Sequence, residues 1–478
     1  MVVDVGTSSV RGSVVRPDGT VDTVARRPLP PSVPAAGLVE IDATALASAV
    51  LDVARAALER SGPVEGVGVT AQRASVIAWD GVTGKALGPG IGWQDLRTAG
   101  TCLELQSEGI RLSPSESATK AAWLLDTYAP DRGADVRIGT VDTWVTWCLS
   151  EGSAHITDPT NAAVTGLFDP VGRRWKTTLA ARLGIPETSL AAIVDSSGRA
   201  AEASALAGSP PICGIVGDQQ ASLIGQGCTR PGQAKATFGT GAMLDLCTGA
   251  DQPDFGDRGR GGCFPIVAWS RAGRLTWGVE AIMLTAGSAV DWLVEDLGVL
   301  THAGQSEEVA ARCDDAGGVM VVPAFLGLAT PTWDFGARAT VVGLTRGSGR
   351  PELVRAVLEG VAHQGADLLE AAERDAGVSV TTLRVDGGMT ANTVFLQALA
   401  DTCARPIEVS AELEATTLGA GYLSGMAVGL WADEDEIADS WSPRMVVEPS
   451  ARTADRHRWR RAVDDAKSWY PELTALEF

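Results

Sequence analysis

The sequence predicts an α/β protein made of two duplicated domains around a central cleft. Three observations carry this reading. The chain opens on strands separated by a glycine turn, not on a strand that runs through glycines into a helix. The same plan starts again after residue 212. The chain has 478 residues, 45% of them apolar and 21% charged. That composition allows large cores and excludes bulk disorder. At about 100–200 residues per domain, the length holds two or three domains.

The elements follow in order. Residues 2–5 are short and β-branched, Gly6-Thr7-Ser8-Ser9 turns, 10–15 alternates, Asp18-Gly19 turns again and 21–24 resumes. This is a β-meander. The Pro-rich stretch 27–37 must be a loop. Residues 42–60 read as a helix, with Asp42 as N-cap, a stripe of Leu46, Val50, Leu51, Val53, Ala54 and Leu58, and a stop at Gly62-Pro63. Residues 64–70 form a buried strand, and 116–128 and 140–150 are helical. In the second half, 212–216 is an apolar strand ending in Gly217-Asp218, and 219–226 suits a helix. Residues 235–246 are a strand broken at Gly239-Thr240-Gly241, as in a hairpin. A long amphipathic helix spans 351–375, a strand at 382–385 ends in Asp386-Gly387-Gly388, and 392–403 and 415–429 are helical. The boundary falls near 225–235, dividing the chain into domains 1–228 and 229–478.

Charge narrows the partners. Lys plus Arg number 39 and Asp plus Glu 59, a net charge of −20, with a pI near 4.7. Nucleic acid and anionic membranes are repelled by such a surface, whereas a small phosphorylated ligand can still be held by local dipoles. Mean hydropathy is +0.09, and no run of about 18 apolar residues exists, so no membrane span is expected. The N-terminus lacks a basic region followed by an apolar stretch, so no signal peptide is expected. The eight scattered cysteines form no C-x-x-C, and the four histidines are far apart. Reduced thiols in a cytoplasmic protein are expected, and no zinc or histidine metal centre.

Four motifs carry chemistry. Asp4-Val5-Gly6-Thr7-Ser8-Ser9-Val10-Arg11 puts backbone N–H groups and hydroxyls on one concave side. That makes a nest for phosphate oxygens, with Arg11 adding charge and Asp4 able to hold a hydrated Mg²⁺. An ordinary Gly-Ser turn is the competing reading. Phe238-Gly239-Thr240-Gly241 is a second such hairpin at the equivalent place in the second half, and the pair implies a phosphate chain gripped from both sides. Gly217-Asp218-Gln219-Gln220 puts an acid directly after an apolar strand, where active-site groups of open sheets collect. There Asp218 could take a proton from an alcohol. A helix N-cap is the competing reading. In Asp386-Gly387-Gly388, a strand runs into two glycines and then a helix, so backbone can approach an adenine or ribose, with Asn392 able to hydrogen-bond it. A strand–helix turn is the competing reading.

The motifs and long phrases between them resemble the FGGY family of carbohydrate kinases, and within it the glycerol kinase branch. The phrases include DVGTSSVRG at 4–12, TAQR at 70–73, GWQDLRTA at 92–99, HITDPTNAA at 155–163, GDQQASLIGQ at 217–226, FGTGAMLDLCTG at 238–249 and LRVDGGMTAN at 383–392. The resemblance implies a duplicated actin/Hsp70-like (RNase H-like) ATPase fold and the cofactors ATP and Mg²⁺. It also implies transfer of the γ-phosphoryl group to a hydroxyl of a small polyol or sugar. It places Thr7, Ser8, Ser9 and Arg11 on the ATP phosphates and Asp4 at Mg²⁺. It places Thr240, Gly287 and Asp291 on the second nucleotide side, and Gly388 and Asn392 at the adenosine. Asp218 becomes the catalytic base. Gln72, Arg73 and Gln219 orient the acceptor, with Trp93 and Trp333 as walls. A homodimer and a homotetramer both stay open.

The resemblance fails at the acceptor pocket. Glycerol kinases carry Arg-Glu where this chain has Arg73-Ala74, and Asp-Pro-Tyr where it has Ser113-Pro114-Ser115. Their phenylalanine is here Met243, and on the nucleotide side a glutamine is here Asp291. Each lost buried hydrogen bond costs about 1–3 kcal/mol, so the expected acceptor is another, larger polyol or sugar. Glycerol itself and a non-catalytic nucleotide-dependent binding protein are the alternatives. The first strand has only three residues before its Asp. The expectation is a misassigned start or a clipped strand that loses pairing.

Overall fold

A computed structural model describes residues 1–452 and 454–476. Its main sheet has thirteen strands: β1 (Val2–Val5), β2 (Ser9–Val15), β3 (Val21–Pro28), β4 (Val67–Ala71), β5 (Ser197–Glu202), β6 (Pro211–Gly217), β7 (Ala234–Phe238), β8 (Ala242–Gly249), β9 (Phe264–Arg271), β10 (Arg274–Met283), β11 (Leu383–Asp386), β12 (Ile407–Ser410) and β13 (Pro443–Val447). Their spatial order is β13-β12-β11-β7-β8-β10-β9-β5-β6-β4-β1-β2-β3.

The order shows the duplication directly. β1 pairs antiparallel with β2 and parallel with β4; β4 runs parallel to β6, and β6 antiparallel to β5. β7 pairs antiparallel with β8 and parallel with β11; β11 runs parallel to β12, and β12 antiparallel to β13. The half-sheets meet at Ser197 on β5 and Arg271 on β9. β4, with all five residues buried, is the continuous apolar run that a central parallel strand requires. Each of the four residues of β1 has a partner on both β2 and β4, whereas Val14 and Val15 of β2 extend past Val2 without a β1 partner.

Six helices position the site: α1 (Ala43–Ser61), α2 (Asp218–Gly225), α3 (Gly287–Glu295), α4 (Arg350–Ala376), α5 (Thr393–Cys403) and α6 (Ala415–Ala427). α1 starts where Asp42 accepts hydrogen bonds from the Thr44 and Ala45 N–H groups, and it ends at Gly62. A four-stranded sheet made of Glu40–Ile41, Gly90–Ile91, Val76–Asp80 and Val136–Thr140 follows a different order from the main sheet. Its antiparallel strands are two to five residues long, and sequence alternation did not reveal them. All eight cysteines are free, and among the described residues no helix is long and apolar enough to cross a membrane.

α2 and α6 cross between the half-sheets over a core that includes Val216, Ala221, Leu418 and Leu423. The crossing is backbone against backbone. A Cβ at Gly225 would lie 1.9 Å from Ala415 O, and one at Gly419 1.8 Å from Ala221 O. Only glycine allows this approach, and α2 carries Asp218 at its first position. Gly419→Ala is expected to lower stability by about 3 kcal/mol through overpacking, read as a lower urea midpoint. Gly100→Ala, on an exposed helix face with nothing within 4 Å, is expected to raise it by about 0.5–1 kcal/mol.

Candidate active site

The carboxyl ends of β1, β4, β6, β7 and β11 converge, and side chains cross between the two halves there. Thr417 on α6 donates to Asp4 Oδ2 at 3.0 Å, and Ser222 on α2 to Asp386 Oδ2 at 3.4 Å. Lys235 on β7 donates to Gln219 Oε1 at 2.8 Å. Arg73, just after β4, donates to Glu280 Oε2 on β10 at 2.6 Å.

Asp218 is the first residue of α2, and Gly217 takes the N-cap position. The N-cap reading is therefore set aside. Its Oδ1 accepts from the Gln219 N–H at 2.8 Å and lies 3.5 Å from Arg73 Nε. Burial pushes its carboxyl above the usual range, and the charge of Asp4 adds to this; Arg73 and the Gln219 N–H oppose it. β6 is held in place by a buried relay. The Gly217 N–H donates to Thr160 Oγ1 at 2.8 Å, Thr160 donates to Asp158 at 2.8 Å, and Ser196 donates to the other Asp158 oxygen at 2.6 Å.

Arg73 is surrounded by acids. Burial works against its charge, but Glu280, Asp218 and Asp245 together hold it above its ordinary value. Its Nη1 is buried without a hydrogen-bond partner, so both of its N–H donors are unpaired. Gln72 Oε1 accepts from Ser75 Oγ, which in turn accepts from the Trp93 N–H at 3.0 Å. Gln72, Arg73 and Trp93 are thereby tied into one wall. Met243 Sδ lies 3.8 Å from Arg73 Nη2. Ala74 sits at φ 61°, and its carbonyl accepts from Ser117 Oγ. Ser115 points its hydroxyl at Ser113, 2.8 Å away.

Two glycines of the turns have open space beside them. A Cβ at Gly239 would meet nothing closer than 3.9 Å, and one at Gly388 nothing within 4 Å. Thr240 O accepts from the Ala286 N–H at 2.8 Å, and Gly239 O from the Gly287 N–H at 2.8 Å, so the second hairpin and the start of α3 form one unit. Asp291 is exposed one turn further along α3. Gly387 stands at φ 91°, where a Cβ would lie 2.4 Å from Phe238 O. This contact joins the Gly387-Gly388 turn to the same hairpin.

Four expected ligand groups are otherwise engaged. Arg11 donates to Asp4 Oδ2 at 2.7 Å and pairs with Glu414, so it neutralises a buried acid and does not face the cleft alone. Ser9 Oγ accepts from Arg26 Nε at 3.2 Å. Asn392 caps α5, accepting from the Phe395 N–H at 3.0 Å, and donates to Ser306 Oγ at 3.0 Å. Trp333 donates from its indole nitrogen to Gly262 O at 2.7 Å and packs on Phe264 and Arg258. These intramolecular bonds have one physical reason. A buried or strand-end polar group satisfies itself on the protein when tertiary packing offers a partner.

Several charged residues of the site were not singled out from the sequence: Lys235, Asp245, Glu280, Lys120 and Glu116. The available signal was a single charge inside an apolar strand, as in Leu244-Asp245-Leu246 and Val279-Glu280-Ala281. Lys120 donates to Gly92 O at 3.2 Å and Ser115 O at 3.0 Å, tying the Trp93 loop to the Ser115 loop. Burial lowers its pKa to about 7 and raises that of Glu116 to about 7.

The residues fit Mg²⁺. Asp4 and Asp218 offer oxygen ligands only, and burial raises both carboxyls. Among the described residues, no cluster of three or more His, Cys, Asp or Glu could hold a metal. That pattern suits a cation bound through one or two carboxylates, waters and substrate phosphates, not a protein cage.

Comparison with known proteins finds relatives over nearly the whole chain. The N-terminal domain of the FGGY family of carbohydrate kinases matches residues 1–225, and its C-terminal domain residues 234–428. The chain is 40% identical over 493 residues to a glycerol kinase of Aromatoleum aromaticum, covering 98% of this chain and 99% of that one. The glycerol kinase of Plasmodium falciparum, solved with ADP, superposes with a TM-score of 0.88 at 27% identity, covering 100% and 98% of the chains. A xylulose kinase from Brucella ovis superposes at 0.85 with 26% identity, covering 99% of each. The duplicated sheet, the shared cleft and these matches together place the chain in the FGGY family of carbohydrate kinases.

Proposed function

We propose that this ATP-dependent kinase phosphorylates a hydroxyl of a small polyol or sugar other than glycerol, with domain 1–228 holding the acceptor and the ATP phosphates and domain 229–478 the nucleotide. The single observation that carries phosphoryl transfer is the meeting of Asp218 and Arg73, 3.5 Å apart, just past the carboxyl ends of the paired parallel strands β4 and β6. Arg73 Nη1, Gln72 and Gln219 hold the acceptor beside Trp93, so that its hydroxyl lies against Asp218. The oxygen attacks the γ-phosphorus, the bond to the β-phosphate bridging oxygen breaks, and Asp218 takes the hydroxyl proton. Backbone N–H groups of the two hairpins, with Thr7, Ser8 and Thr240, meet the phosphate oxygens, while Gly287, Asp291 and Gly388 border the nucleoside. Asp4 and Asp218 would hold Mg²⁺, which supplies charge neutralisation at the phosphates. Eight free thiols suit a reducing cytoplasm.

The acceptor reading rests on Ala74, Ser115 and Met243, which stand where the resemblance implies a glutamate, a tyrosine and a phenylalanine. Genuine glycerol kinase activity is the second reading, favoured by relatives at 40% identity. A coupled ADP-release assay over glycerol, larger polyols and ketoses separates the two. The expected result is a kcat/KM for a larger acceptor at least tenfold above that for glycerol, the factor set by one lost hydrogen bond. Glycerol as the best substrate establishes the second reading.

A further inference from the structure

Gln219 is held from behind by a buried ion pair that the proposed mechanism does not use. Lys235 on β7 and Asp245 on β8 are directly opposed in the antiparallel register, and both side chains have 0% exposure. Lys235 Nζ lies 2.7 Å from Asp245 Oδ2 and donates to Gln219 Oε1 at 2.8 Å and Thr237 Oγ1 at 3.2 Å. The ammonium group thus has two hydrogen-bond acceptors, Gln219 and Thr237, and an ion-pair partner in Asp245. In the next register pair, Asp245 opposes Glu280 on β10, which binds Arg73. Alternation along the strands therefore aligns Lys235, Asp245 and Glu280 on one face of the sheet.

An ammonium only donates, so it can accommodate only the oxygen end of the Gln219 amide. The NH₂ end is left for the cleft. The Gln219 backbone N–H donates to Asp218 Oδ1 at 2.8 Å, so the side chain that Lys235 holds belongs to the residue directly after the base. We infer that Lys235 and Asp245 form a positioning pair that fixes the amide of Gln219 as a hydrogen-bond donor to the acceptor oxygen. Without the pair, the amide can rotate and offer its oxygen to the acceptor in part of the population. Asp245 holds Lys235 in place through the ion pair, and neither residue touches the acceptor itself.

The inference rests on the reading that Gln219 contacts the acceptor, and a four-variant cycle separates the two claims. Lys235→Met/Asp245→Leu removes both charges with little change in volume, and Gln219→Ala is made in that background and in the parent. The readouts are acceptor kcat/KM, ATP KM and the thermal midpoint. In the parent, Gln219→Ala is expected to lower acceptor kcat/KM about tenfold, as loss of one hydrogen bond does. In the double-variant background the same change is expected to cost less than twofold, with ATP KM unchanged. Should that background fail to fold, Lys235→Met/Asp245→Asn carries the same cycle. An equal loss in both backgrounds overturns the positioning pair. No effect of Gln219→Ala in the parent overturns the placement of Gln219 at the acceptor.

Discussion

Asp218→Asn is expected to lower kcat about a thousandfold while ATP affinity stays within a few-fold of the parent, because general base catalysis contributes about 10²–10⁴. The substitution keeps the shape of the side chain and the bond from the Gln219 N–H can be retained by its carbonyl oxygen, so the start of α2 is preserved. What is lost is the place for the hydroxyl proton. Burial lifts the Asp218 carboxyl above its ordinary range. The base must be ionised to act, so activity of the parent falls as pH drops through that raised value. This acid limb is expected at higher pH than an exposed aspartate would give. Steady-state turnover, together with ADP binding by calorimetry, checks the variant. Turnover near that of the parent would remove Asp218 from the mechanism.

Arg73→Met is expected to lower stability by about 3–5 kcal/mol at pH 8, because it leaves buried carboxylates without their cation. Arg73 and Lys235 face Asp218, Asp245 and Glu280, so three acids already exceed two bases in this cluster. The surplus is visible at Glu280, where burial raises the pKa to about 7 and Asp245 adds to the rise, with Arg73 and Lys235 opposing. Loss of Arg73 raises it further. A carboxyl raised in the folded state binds a proton there that the unfolded chain lacks, so the folded form loses stability as pH rises. The deficit of Arg73→Met is therefore expected to shrink from pH 8 toward pH 6. Urea unfolding at the two pH values tests this, and a deficit that grows on acidification would sink it. Arg73→Met/Glu280→Leu is expected to recover much of the stability but none of the acceptor kcat/KM, since the Nη1 donors are still absent.

The sequence by itself determined the elements whose causes are local. The meander at 2–24 and the hairpin at 235–246 follow from β-branched runs around glycine turns, and the helix over 42–60 from Asp42, its apolar stripe and Gly62. It also located Asp218 at the end of an apolar strand and the TAQR and GDQQ phrases that meet beside it. Tertiary structure alone decided which charges share the cleft. Lys235 and Glu280 are 45 positions apart and join one row only through the registers of β7, β8 and β10. Arg11 looked free for phosphate until strand pairing set it opposite Asp4, and Asn392 looked free for a nucleoside until Ser306 came within reach. The division has a physical cause. Turns and helix stops depend on the conformational preferences of a few adjacent residues, whereas the partner of a buried charge depends on which distant strand lies alongside.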